Sequence, residues 1–263
     1  MRTYIPVIRA SFMVGLIYRF GFIFSIIGNI VYLGVAYYLW KSIYGSATTL
    51  NGLTFNETFL YVGLGSSIFI LLKTYADWLI HHEIQQGTIA VYLTKPINYQ
   101  LYALSTNFGA MLMNLATITI PTALMLIFVF HVKVAPGAGL FLFPISLFMA
   151  FLISFSFDFL VGLMSFYSES VWGISTTKEI IITVLSGALI PLQFFPAAIQ
   201  KVLFWLPFQA IYHTPLMMIT KADLGLQTFL PMLLVQMGWT IALFILSRLF
   251  YNQAIKVLRI AGG

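Results

Sequence analysis

HHEIQQGTIAVYLTKPINY, residues 81–99, is the least apolar stretch in the first half of this chain, and long hydrophobic runs lie on both sides of it. Gly87 breaks a helix arriving from the N-terminal side, and the Thr88 hydroxyl is of the type that caps a new one. Ile89, Tyr92 and Leu93 fall three and four apart and share a face. Pro96 stops the segment, because the residue before a proline is driven out of helical geometry. The pattern predicts a bracketed helix of about two turns with a small apolar face. A plain connection has no use for such a face. It either meets something beyond this chain or tucks the helix under a membrane surface.

The rest of the chain says what is being connected. Of 263 residues, 60% are hydrophobic and 8% charged, against roughly 25% charged in an ordinary soluble domain. Its solvent is therefore lipid, and an all-α integral membrane protein is expected. Without cysteine, disulfides, thiolate metal sites and thiol catalysis are excluded. No short apolar run with a small-residue cleavage site opens the chain, so its first hydrophobic segment is expected to remain as an anchor.

Residues 1–19, hydrophobic but interrupted by Arg9 and Arg19, read as an interfacial helix. Residues 20–40, 57–80, 101–130, 140–167, 180–191 and 228–247 read as six transmembrane helices. Lys73 and Asp77, four apart, are expected to pair where the second helix leaves the membrane. Lys178 and Glu179 are taken as the polar doorstep of the fifth. Prolines 191, 196, 207 and 215 cut residues 192–220 into pieces too short to cross, which suggests an outer re-entrant hairpin.

Placing both termini in the cytoplasm puts Arg2, Arg9, Arg19, Lys73, Lys95, Lys178, Arg248, Lys256 and Arg259 inside and Lys41, Lys133, Lys201 and Lys221 outside. Cationic loops favour the cytoplasmic side, so this orientation in a plasma (inner) membrane is preferred. Residues 81–99 are then a cytoplasmic loop.

The order Glu83, Gly87-Thr88-Ile89, Leu93, Pro96-Ile97, with the later break SGALIPLQFFPAAI (186–199), resembles the permease subunits of ABC type-2 exporters. The subgroup it is most similar to comprises bacterial drug, viologen or peptide exporters. The resemblance spans the whole chain, departing at Ala90, where family members often carry an acidic or polar residue. It implies an efflux permease without catalysis of its own. ATP and Mg would bind a separate cytosolic ATPase, and a second permease, identical or a sister chain, would complete a dimer. Residues Glu83, Gly87, Thr88, Ile89, Leu93, Lys95 and Pro96 would then form the coupling region that presses on the ATPase, with Glu83 at its hinge. The first, second and fifth spans would line the route for a hydrophobic or amphipathic substrate.

Other candidates stand apart from that motif. Asp158 lies inside the fourth span, where a lone carboxylate costs about 2.5–3.5 kcal/mol on insertion scales. It is either a substrate or proton contact or a packing contact satisfied by Ser154 and Ser156. Phe194 and Phe195 are either part of an interfacial belt or a gate over an exit path. His81, His82 and Glu83 are adjacent, not spaced as helical metal ligands, so no metal site is expected. Gly63 and Ser67 form a small-residue pair for close helix packing rather than a nucleotide loop. Two rival classes stay open: an ion-coupled secondary transporter, which needs more intramembrane acids than Asp158 supplies, and a membrane-embedded lipid enzyme, which needs clustered Asp, His or Glu.

Overall fold

The computed structural model describes residues 4–17 and 19–257. Arg2 and Arg259, counted above as cytoplasmic charges, lie outside the described residues.

The chain opens with α1 (Tyr4–Ile17), which buries none of its own residues yet rests along a later helix. The 26-residue α2 (Arg19–Tyr44) follows. The polar residues that come next form a small hairpin, β1 (Thr49–Leu50) and β2 (Leu53–Thr54). Asn51 and Gly52 turn it with φ of 49° and 79°, the left-handed pair that a tight two-residue hairpin turn demands. Thr54 then caps α3 (Phe55–Leu72) in a reciprocal capping box with Glu57.

The span expected as one rod over 57–80 is two helices. Lys73, Thr74 and Tyr75 are non-helical, and α4 (Ala76–Gln85) restarts beyond them. Gly87, at φ +70°, reverses the chain into α5 (Ile89–Thr94), which stops before Pro96. Next comes α6 (Tyr99–Asn114), capped by the Asn98 side chain. A π turn, Leu115–Thr119, separates it from α7 (Ile120–Phe128). Pro121 explains the interruption: it has no N–H to donate and its ring collides with the preceding turn, which the wider π geometry relieves.

The 26-residue α8 (Ala138–Leu163) carries Pro144 within it. After it, α9 (Trp172–Leu185) starts well before the expected Ile180 and ends before Pro191. Its 14 residues reach about 21 Å, short of the roughly 30 Å of a bilayer core. Short pieces follow, α10 (Ala197–Leu203) and α11 (His213–Thr220), and then the 29-residue α12 (Leu226–Ala254).

Among the described residues, five helical stretches are thus long and apolar enough to cross a membrane: Ile23–Tyr44, Phe55–Gln85, Tyr99–Phe128, Ala138–Phe166 and Leu226–Ala254. Residues 180–191 are not a sixth helix of that kind. Lys178 and Glu179 misled the reading, since their charges mark the middle of α9 rather than its entrance.

The second stretch is the centre of the bundle, with 72% of its apolar window buried against 22–39% for the other four. Glycines allow close approaches between helices. A Cβ on Gly109 of α6 would sit 2.4 Å from the Ile8 carbonyl of α1, and one on Gly162 of α8 would sit 3.0 Å from Asp77 Cα of α4. At the start of α8, the Gly139 N–H donates to the Ala222 carbonyl (3.2 Å). At its far end, the Gln85 amide donates to the Glu169 carbonyl (3.2 Å). The chain from Glu169 to Ala222 therefore begins at one end of α8 and finishes at the other.

Candidate functional site

The loop quoted at the outset is pinned from within. Glu83 is buried, and its carboxylate accepts a 2.5 Å hydrogen bond from the Tyr99 hydroxyl at the start of α6. That bond closes the base of the loop, because α4 supplies one partner and α6 the other. Ile89 is also fully buried beside Ile80, Tyr99 and Phe159. Tyr92 stacks on Tyr102 with ring centroids 4.5 Å apart and accepts its hydroxyl (2.9 Å). Leu93 packs half-buried against the same cluster.

The apolar face expected to point outward is therefore turned into the bundle, where burying it anchors α5. The opposite side, with Thr88, Val91, Thr94, Lys95 and Pro96, is exposed. Thr88 does not cap α5; its hydroxyl donates backward to the Glu83 carbonyl (3.3 Å). Gly87 is required by its backbone, since a side chain at that φ is strained.

The second site was largely invisible as a site in the sequence. Asp158 of α8, Asp77 of α4 and Lys178 of α9 meet beside the break between α3 and α4. Lys178 forms ion pairs with Asp77 (2.8 Å) and with Asp158. Their side chains are 13%, 2% and 9% exposed for Lys178, Asp77 and Asp158, so all three charges are withdrawn from solvent. Hydroxyls fill the remaining acceptor positions: Thr74 donates to Asp158 and Ser175 donates to Asp77. Lys73 reaches Glu179 at 2.5 Å, one residue along α9, and lies over the rings of Phe69 and Tyr75.

Two expectations fail here. Lys73 and Asp77 do not pair, because the break between them points them at successive residues of α9. Asp158 is not satisfied by Ser154 and Ser156; the Ser156 hydroxyl donates to the Leu152 carbonyl instead. The missing partner had a signal in the sequence. A buried acid requires a cation, and Lys178 is the nearest lysine in the chain.

A cavity of about 120 Å³ lies against this cluster, lined by Lys73, Asp158, Glu179 and Trp78 among others. Phe69 forms part of its wall and part of the wall of a second, more apolar cavity of about 330 Å³ between α2, α3 and Ala188. Toward the other end, Tyr61 donates to the Gly187 carbonyl (2.9 Å) and meets His213 Nδ1 (3.2 Å), tying the break after α9 to α3 and α11. Phe194 packs against Trp40 (5.2 Å between centroids), whereas Phe195 is half-buried and makes no aromatic pair among the described residues. The two phenylalanines are not brought together with Asp158.

Comparison with known families bears on what this arrangement serves. The chain matches the profile described as ABC-2 family transporter protein over residues 30–262. It belongs to that family. The match begins within α2 and takes in every later element to α12, including both sites, and makes the chain an ABC type-2 permease, a multi-pass transport subunit. No curated protein matches the permease at a significant level.

Proposed function

We propose that this permease is the membrane subunit of an ATP-driven exporter that moves a hydrophobic or amphipathic substrate out of the cell. The observation that carries the reading is the turn from Gly87 to Pro96. Its inner side is fixed by Glu83, Ile89 and Tyr92, and its outer side presents Thr88, Val91 and Lys95 as one exposed surface. A rod held rigidly from behind suits transmission of force from a cytosolic ATPase that binds ATP and Mg. The chain crosses six times, the sixth crossing being made in pieces by α9 and the 192–220 segment with its short helices α10 and α11, so both termini lie in the cytoplasm of a plasma membrane. A second permease, identical or a sister chain, faces α2, α3 and α9. The substrate passes along the two cavities joined at Phe69, with Asp158 in the wall of the first and Phe194 and Phe195 at the outer hairpin.

Replacing Val91 and Lys95 with glutamate tests this, since both side chains are exposed. Complex formation with the ATPase and permease-dependent ATP hydrolysis should both be lost. Unchanged hydrolysis and transport in that variant would count against the reading.

A further inference from the structure

The attachment of α9 to the rest of the bundle is mainly polar. Ser175 is its one fully buried residue, and most of its apolar side chains, including Trp172, Ile180, Ile181 and Val184, face outward. Ile182 adds one half-buried contact with the core. What fixes its position is polar: Lys178 and Ser175 to Asp77 of α4, Lys178 to Asp158 of α8, and Glu179 to Lys73 of the break. Non-helical backbone flanks α9 on both sides, residues 168–171 before it and Gly187 (φ +79°) to Pro191 after it, the latter held by the Tyr61 hydroxyl.

From this geometry we propose that α9 is the moving helix of the permease and that the Asp77–Lys178 ion pair is its drive link. The inference rests on the ATP-driven reading above and adds the route by which force leaves the cytoplasmic turn. Residues 83–99 are stapled to α4 through Glu83. The break at Lys73–Tyr75 lets α4 rock relative to α3. Asp77 sits in the first turn of α4 and holds Lys178, so displacement of α4 pulls on α9. At its other end α9 continues into the outer hairpin, which is held to Tyr61 of α3 by the Gly187 carbonyl. Asp77 and Lys178 are positioning residues; they carry motion, not substrate. An ion pair suits the task because it re-forms over a range of angles, whereas interlocked apolar packing has discrete arrangements.

The test uses the permease purified with its ATPase. The chain has no cysteine, so spin labels can be placed at two exposed sites, Val202→Cys on α10 and Phe141→Cys at the start of α8. Their separation is measured by electron–electron resonance with and without ATP, Mg and vanadate. The labelled parent should show a nucleotide-dependent shift in separation. Asp77→Asn leaves Lys178 paired one-to-one with Asp158, so no charge is stranded. It should reduce the shifted population by about 2- to 30-fold, the range in which residues along a coupling route act. Hydrolysis by the partner ATPase should persist, and Asp77→Glu should restore the shift. A full shift in Asp77→Asn overturns the proposal. A parent that brings no ATPase, or shows no nucleotide-dependent shift, instead removes the ATP-driven reading itself, and the drive link with it.

Discussion

Replacing Lys178 with methionine isolates a buried electrostatic commitment. Its ammonium serves both Asp77 and Asp158, whose side chains are only 2% and 9% exposed. Removing one partner of a buried pair costs about 3–5 kcal/mol, because a charge is left desolvated and uncompensated. Insertion scales put one carboxylate at bilayer depth at about 2.5–3.5 kcal/mol, which agrees. The hydroxyls of Thr74 and Ser175 soften the loss without cancelling a charge.

Neutralising all three groups at once, as Lys178→Met with Asp77→Asn and Asp158→Asn, leaves no charge behind. Replacing a whole buried network is often neutral or better, so most of the loss should return. In detergent, with a midpoint shift of about 2–4 °C per kcal/mol for a chain of this order, the single variant should melt about 6–20 °C lower. The triple variant should fall within about 4 °C of the parent by the same conversion. Reversible unfolding in mixed micelles would give the same ordering. A single variant as stable as the parent, or a triple variant as unstable as the single, would refute the claim that these charges depend on one another.

Three further outcomes follow from geometry. Gly139→Ala would place its Cβ 2.0 Å from the Met218 carbonyl, so α8 and α11 must separate. A loss of about 1–3 kcal/mol in unfolding is expected, while Gly173→Ala, with open space at its Cβ, should show none. Tyr99→Phe removes the hydroxyl from buried Glu83 and should cost about 1–3 kcal/mol, with faster amide exchange confined to residues 84–98. Gln236→Leu loses three buried hydrogen bonds, two to Ser146 and one to the Ala210 carbonyl. It should cost a similar amount, about 1–3 kcal/mol, in the same unfolding measurement.

Membrane class, the helical architecture and the bracketed turn were legible in the sequence because each follows from local chemistry. Apolar length reports a span, Gly87 reports a left-handed backbone position, and Pro96 reports a stop. The Asn51–Gly52 hairpin is equally local, set by the left-handed backbone that those two residues adopt. What local reading missed depends on tertiary partners. A helix break at Lys73–Tyr75 has neither proline nor glycine to announce it, and it is stabilised by what Lys73, Thr74 and Asp77 meet on α8 and α9. For the same reason Lys178 and Glu179 were read as a polar doorstep, when two of their partners, Asp77 and Lys73, lie about a hundred residues earlier and the third, Asp158, is buried in α8. The apolar stripe of α5 was identified correctly but aimed wrongly, since periodicity names a buried face without naming what buries it.

The side of the membrane on which α5 lies, and what covers it there, is measured most directly by labelling one cysteine at Val91, an exposed position in a chain that otherwise has none. A membrane-impermeant maleimide should react in inside-out vesicles stripped of peripheral proteins, fail to react on intact cells, and be blocked when the ATPase is added back. Labelling from outside intact cells, or labelling that the ATPase leaves unchanged, would contradict the account.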